Sequence, residues 1–286
     1  MISVESYKRP ETIAEALKLL KTGKFGIIAG GTDVIPQMRH TPARSLLDIG
    51  KLGLDFVREN DNTVEIGAAA THSQIQNNPL IQRFLPLLST ACGLVGSWQI
   101  RNRGTIGGNI VNASPCADSA PALLIYDTKV VLLSSQGRRS VNLSEFIKKP
   151  YLTVLTAKDL VHSFVCQKGD DSAGNSFIKL GRRQAVNISR MTIAVSLVRD
   201  DSNKITMAKI AVGSVFPTPT RISELENKLI GQIVSKELFD ETADLAADLM
   251  IKASGVRWST PYKKPVLIGL MRRALVGASG IKEIPA

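Results

Sequence analysis

Two glycine-rich segments hold most of the residues in this chain that could do chemistry. Ala29-Gly30-Gly31-Thr32-Asp33, continued by Val34, stands directly behind the short apolar run Phe25 to Ile28. Gly104-Thr105-Ile106-Gly107-Gly108-Asn109 runs on through Asn112-Ala113-Ser114-Pro115 to Asp118. Each segment places a small polar residue after a glycine pair. Glycine has no Cβ to block φ > 0 or to hold a phosphate oxygen away from main-chain N–H groups. Either segment alone reads as a tight turn. Two in one chain predict a long diphosphate ligand gripped by backbone donors. Asp33 and Asp118 each follow a glycine loop, which suits hydrogen bonding to ribose or ribityl hydroxyls better than proton transfer; loop or helix capping is the plainer role.

Other chemistries find little support. His40, His72 and His162 are isolated from one another, and each reads as a surface or packing histidine. There is no catalytic triad and no carboxylate pair for acid–base work. Neither segment fits the G-x-G-x-x-G dinucleotide fingerprint or the G-x-x-x-x-G-K-[ST] phosphate loop, which argues against nicotinamide and nucleoside-triphosphate sites. Cys92, Cys116 and Cys166 form no C-x-x-C pair, against a zinc or iron–sulfur site made by this chain. What remains is a redox or binding protein whose chemistry lives in a bound cofactor.

The bulk numbers agree. A chain of 286 residues, 44% hydrophobic and 21% charged, predicts one large or two modest globular domains. Sparse cysteines fit a reducing compartment, Met1 to Pro10 holds no apolar leader, and no stretch approaches membrane-spanning length, so a soluble cytoplasmic protein is expected. The net charge is +11, but only 5% of residues are aromatic and the cations are scattered, unlike a nucleic-acid surface. One stretch is biased: Lys252, Arg257, Lys263, Lys264, Arg272 and Arg273 have no acid among them. It reads as a solvated basic face or a protein-partner surface.

The elements that must position these residues follow from periodicity. Ile13, Leu17 and Leu20 mark a helix, Phe25 to Ala29 a strand, and Arg44 to Ile49 and Thr63 to Ala68 two more. Thr71 caps a helix from His72, and another covers Leu80 to Leu94, bent or started near Pro86. After the second glycine segment come a helix over Ser119 to Tyr126 and a hairpin of Lys129 to Ser134 with Arg138 to Asn142. A helical turn from Ser144 to Phe146 and a strand from Asp159 to Cys166 follow. Lys168 to Asn175, polar and glycine-bearing, predicts a domain boundary. Beyond it lie strands at Ser176 to Leu180, Thr192 to Arg199 and Ile205 to Ser214. Pro217 and Pro219 are expected to end the sheet. Helices then run over Ile222 to Ile230, Lys236 to Ser254 and Pro265 to Ala278. Strands first and helices after predict an α+β unit.

The motifs, with Gln99-Ile100-Arg101-Asn102 and Lys179-Leu180-Gly181-Arg182-Arg183, occur in the order found in a known family. Together they resemble the FAD-binding middle subunit of the molybdenum hydroxylases, the family of xanthine dehydrogenase, over nearly the whole chain. The resemblance implies an α+β fold: residues 1–170 as an FAD-binding domain of the vanillyl-alcohol-oxidase type in two α/β subdomains, and 176–286 as a C-terminal three-stranded antiparallel sheet with helices. It implies that Ile28, Ala29, Gly30, Gly31, Thr32, Asp33 and Val34, with residues 105 to 109, supply backbone donors to the FAD diphosphate. Thr105 and Asn109 add side-chain contacts beside Gly107 and Gly108, and Asp118 binds adenosine or ribityl hydroxyls. Val95, Leu160 or Val161, Lys179 and Ile188 are expected near the cofactor.

The resemblance further implies partners: a large molybdenum–pterin subunit and a small subunit with two [2Fe–2S] clusters, in a heterotrimer doubled to a larger assembly. Electrons would reach FAD from the clusters and leave to NAD⁺ or oxygen. Cys116 replaces an expected alanine. A self-standing flavin oxidoreductase is the alternative. The substrate pocket would lie on another chain, with a xanthine-dehydrogenase-like role preferred.

Overall fold

The computed structural model describes residues 4–40, 44–183 and 186–281. Residues 1–3 of the segment read for a leader, and residues 282–286 of the C-terminal unit read from the sequence, lie outside them.

The chain opens with a small parallel sheet whose strands lie in the order Val4–Lys8, Arg44–Asp48, Phe25–Ile28. Helix Ile13–Leu20 packs on it, because its spacing puts Ala16 and Leu20 on one face, and Thr12 caps its start. A five-stranded antiparallel sheet follows, in the order Val57–Glu59, Thr63–Gly67, Leu160–Gln167, Lys129–Ser134, Gly137–Asn142. Leu160 belongs to the core of the first layer while Val161 and Phe164 belong to the second, so this central strand ties the two together.

Between Thr71 and Ile125 the chain is a cluster of short helices. Thr71 and Gln74 form a reciprocal capping box on His72–Asn77. The helix expected over Leu80 to Leu94 is two, Pro79–Phe84 and Pro86–Gly93. Leu85, forced out of helical geometry by the proline behind it, makes the break. Trp98–Arg103, to which the sequence reading gave no element, and Ile106–Asn112, which it read as loop, are helices as well.

The last unit is an antiparallel sheet of Gly174–Gly181, Ser189–Arg199 and Ile205–Gly213, covered by helices Ser223–Leu229, Lys236–Ser254 and Thr260–Ser279. The α+β expectation holds, with two adjustments. The sheet does not end at Pro217 and Pro219: the chain returns, and Thr220–Arg221 adds a fourth, two-residue strand beside Ala211 and Val212. The final helix starts at Thr260, not Pro265. Pro261 at its first turn needs no hydrogen-bond partner for its nitrogen, whereas Pro265 sits one turn in.

The segment from Lys168 to Asn175 is pinned down. Lys168 Nζ donates to Glu59 Oε1 at 2.6 Å and lies 4.2 Å from the Phe84 ring centroid, and Gly174 already belongs to the sheet. Helix Ser119–Ile125, buried throughout, packs on both Ser189–Arg199 and Ile205–Gly213, so Ala194 and Ala211 share a core with the N-terminal half. Among the described residues, no helix is long and apolar enough to cross a membrane.

Candidate functional site

Strand Phe25–Ile28 delivers residues 29–34 to the end of the parallel sheet. Gly31 takes φ +75°, a region in which side chains are strained. Among the described residues, no acceptor takes the amide hydrogens of Gly30, Gly31, Thr32, Asp33 or Val34. Successive unpaired N–H groups around a left-handed glycine form a concave nest for an anion.

The second glycine segment is built differently. Thr105 caps helix Ile106–Asn112, its Oγ1 accepting from the Gly108 amide at 3.1 Å. The Ile106 amide donates to Ala70 O and the Gly107 amide to Ala68 O, both at 2.9 Å, and the Asn109 amide to Thr105 O at 3.0 Å. Residues 106 to 109 are therefore not the free backbone donors the sequence reading expected: capping and tertiary packing have committed those amides within the protein. What the segment presents is the Thr105 main-chain N–H, for which no acceptor is found among the described residues, the Thr105 hydroxyl proton and the Asn109 amide nitrogen, since Asn109 Oδ1 already accepts from Ser119 Oγ at 2.6 Å.

The glycines bring backbones together. A Cβ on Gly30 would lie 1.8 Å from Arg103 O, and one on Gly107 2.5 Å from Ala68 O. Both close approaches are to the protein's own main chain: the first holds the two segments against each other, and the second seats the second segment on Ala68. A Cβ on Gly108 would meet only Thr105 Oγ1, at 3.1 Å. That glycine alone of the three faces open space.

Between the segments lies a cleft of about 320 Å³. Ala29, Gly30, Gly31, Thr32, Asp33, Val34, Val95, Thr105, Gly107, Gly108, Asn109, Leu160 and Val161 line it. So do residues that sequence reasoning missed. Val111 and Asn112 come with the helix Ile106–Asn112, one turn beyond Gly108, a periodicity hidden while the segment read as loop. Gln37 Nε2 reaches Asn112 Oδ1 at 3.4 Å and joins the two walls. Leu155 and Asp159 arrive through sheet topology, and no local signal marks them. Asp159 is committed to Arg139 at 2.9 Å and to Thr156.

His72 also lines the cleft. It is buried, with Nδ1 3.4 Å from Cys92 Sγ. Burial, assisted by the positive charge of Arg101, lowers its pKa to about 4, so the imidazole is neutral near pH 7. Partial desolvation at the rim raises the Asp33 pKa.

Four expected site residues lie outside this lining. Ile28 packs behind Gly31, where it would touch an added Cβ at 3.4 Å. Asp118 and Lys179 form a buried ion pair of 2.6 Å, each side chain 6% exposed. Ser189 Oγ donates to the other Asp118 oxygen, and Lys179 Nζ also donates to Leu94 O at 2.7 Å. Neither charge is free for a ligand hydroxyl in this arrangement. Burial outweighs Lys179 and Ser189 and raises the Asp118 pKa. Ile188 stands on the surface, 78% exposed.

The open nest, the Thr105 hydroxyl and a cleft walled by Val95, Leu160 and Val161 fit a diphosphate joined to flat apolar rings. Residues 2–165 match the family described as "FAD binding domain in molybdopterin dehydrogenase". The chain belongs to the FAD-binding subunits of the molybdenum hydroxylases. Residues 176–278 match the CO dehydrogenase flavoprotein C-terminal domain. The chain is 32% identical to the nicotinate dehydrogenase FAD-subunit of Eubacterium barkeri, across 93% of each chain. It is 33% identical to the xanthine dehydrogenase FAD-binding subunit of Escherichia coli O157:H7, across 79% of each. Its structure matches carbon monoxide dehydrogenase from Hydrogenophaga pseudoflava with a TM-score of 0.90 and 28% identity, covering 97% of this chain and 98% of that one. The protein is thus an FAD-carrying oxidoreductase subunit, and FAD is the group for which the cleft must account.

Proposed function

We propose that this subunit receives electrons from iron–sulfur clusters on a small partner subunit and hands them to an external acceptor, NAD⁺ or oxygen, in the cytoplasm. Substrate would be hydroxylated at a molybdenum–pterin centre on a large subunit, with a xanthine-dehydrogenase-like substrate preferred. The observation that carries this reading is the run of unpaired amides from Gly30 to Val34 facing Thr105 and Asn109 across the cleft.

The redox chemistry of the site would come from bound FAD, which can take up electrons singly and release them as a pair. The chain's own residues bind, orient and exclude water. The amides of Gly30 to Val34 would hold the diphosphate, with the Thr105 hydroxyl and Asn109 opposite. Asp33, which lines the cleft, would accept from a ribose hydroxyl. Val95, Leu160 and Val161 would wall the rings, and Ile28 props Gly31 from behind. Neutral His72 adds no charge to this wall. Asp118, Lys179 and Ile188 would meet the cofactor only at its far end, after the ion pair rearranged. We read residues 1–170 as the unit that binds FAD and 176–286 as the one that closes its far side.

The test is an absorption spectrum of the purified protein, followed by release and identification of the chromophore. FAD is expected, and Gly31→Val, which strains the nest, should abolish it. A colourless chain that takes up no FAD even beside its partner subunits would overturn the reading.

A further inference from the structure

One corner of the surface gathers exposed apolar side chains and cations that have no carboxylate partner. Gly255, at φ +69°, ends helix Lys236–Ser254 and turns the chain outward. The next residues, Val256 and Trp258, are 80% and 93% exposed. Burying a large apolar side chain is stabilising, so a nearly bare tryptophan beside a bare valine is apolar area left for something to cover. Arg257 stands between them. The Arg190 guanidinium lies 5.3 Å from the Tyr262 ring centroid, and Lys263 Nζ donates to Ser214 O at 3.0 Å.

Arg190 and Arg257 both act on Lys263. Burial lowers the Lys263 pKa, and the charges of Arg257 and Arg190 lower it further. Among the described residues, none of the three has a salt bridge, and residues 249–281 contain no Asp or Glu. Within the basic stretch Arg272 pairs with Asp240 and Lys264 with Asp248 at 3.4 Å, whereas Lys252 and Arg273 have no salt bridge among the described residues. At the Trp258 corner the uncompensated charge stands beside exposed apolar side chains. Like charges held together without counter-charge cost energy that an acidic surface would recover.

This corner is also tied to the segment that follows the cleft helix. Ser214, which accepts from Lys263, donates its own amide to Pro115 O at 2.9 Å, three residues beyond the cleft residue Asn112. Ser189, beside Arg190, donates to Asp118. A protein seated here would lie beside the segment that leaves the cleft helix.

We infer that Val256, Trp258 and Tyr262, rimmed by Arg190, Arg257 and Lys263, form the docking face for the electron-donating partner subunit, whose matching surface is an apolar pocket ringed by Asp or Glu. This rests on the proposed function, since it assumes that an electron donor arrives on another chain. The aromatic centre with an arginine rim is the composition of an interface hot spot.

The experiment uses the complex purified through a tag on its iron–sulfur subunit, with Trp258→Glu, Arg257→Glu and the double variant. Trp98→Glu, at an exposed tryptophan elsewhere, is the control. Flavin content is read from the visible spectrum, folding from thermal melting, and assembly from sedimentation over a dilution series. Each single variant is expected to weaken assembly at least about tenfold and the double more, with steeper salt dependence in wild type. Flavin and melting temperature should not change, and Trp98→Glu should assemble normally. An intact complex in the double variant overturns the inference. So does a finding that the face only joins two copies of this chain, seen as a wild-type homodimer that Trp258→Glu makes monomeric. Loss of flavin from the wild-type chain would instead count against the proposed function itself.

Discussion

At the scale of single residues, His72 shows how position changes the meaning of a side chain. In sequence it is one of three scattered histidines; in the fold it is the first residue of a capped helix, buried at the cleft wall against Cys92. Its pKa is lowered to about 4, below the usual 6.5. Between those values the unfolded chain binds a proton that the folded chain does not, so acid favours unfolding. The stability associated with neutral His72 is complete above pH 6.5 and is lost as pH falls to 4, a loss of up to about 3 kcal/mol. His72→Gln should flatten this part of the curve. Thermal midpoints from pH 7 to 4 measure it, and an unchanged acid slope in the variant would show that His72 is not the group responsible.

At the scale of elements, the glycines divide into two kinds. Gly30 and Gly107 let one backbone touch another, at Arg103 and at Ala68. Gly108 leaves a bare patch on the helix facing the cleft. Gly30→Ala and Gly107→Ala must therefore push main chain aside, at about 1–3 kcal/mol or more, and lose flavin along with stability. Gly108→Ala meets only the Thr105 hydroxyl, so its melting temperature should stay within a few degrees while FAD affinity falls about tenfold. Paired melting curves and FAD titrations separate the two classes. Equal destabilisation by all three would mean that Gly108 also serves packing.

At the scale of the whole molecule, Asp118 and Lys179 connect the helical cluster to the C-terminal sheet through a buried pair. Removing one partner of such a pair leaves an uncompensated charge, at about 3–5 kcal/mol. Asp118→Asn and Lys179→Met should each unfold at markedly lower denaturant. The double variant should recover most of the loss, because no lone charge is then buried. Additive losses in the double variant would show that the pair itself, and not its desolvation, supplies the stability.

Much of this was legible in the chain. Helix periodicity at Ile13–Leu20, the capping residues Thr12 and Thr71, the hairpin after Ile125 and the strand-then-helix order of the last third are local properties. They follow from side-chain spacing and backbone preference within a few residues. The ordered motifs were enough to recognise the family. Tertiary structure decided the rest. Ile106–Asn112 is a helix in spite of its two glycines because Thr105 caps it and Ala68 and Ala70 take its first amides, contacts nearly forty residues away in sequence. That same packing commits the amides of Ile106 to Asn109 and leaves those of Gly30 through Val34 open, places His72 and Asp159 in the wall, and closes Asp118 onto Lys179. Sequence types determined which groups were available for hydrogen bonding. Which of them stayed free for a ligand depended on long-range contacts that no local pattern encodes.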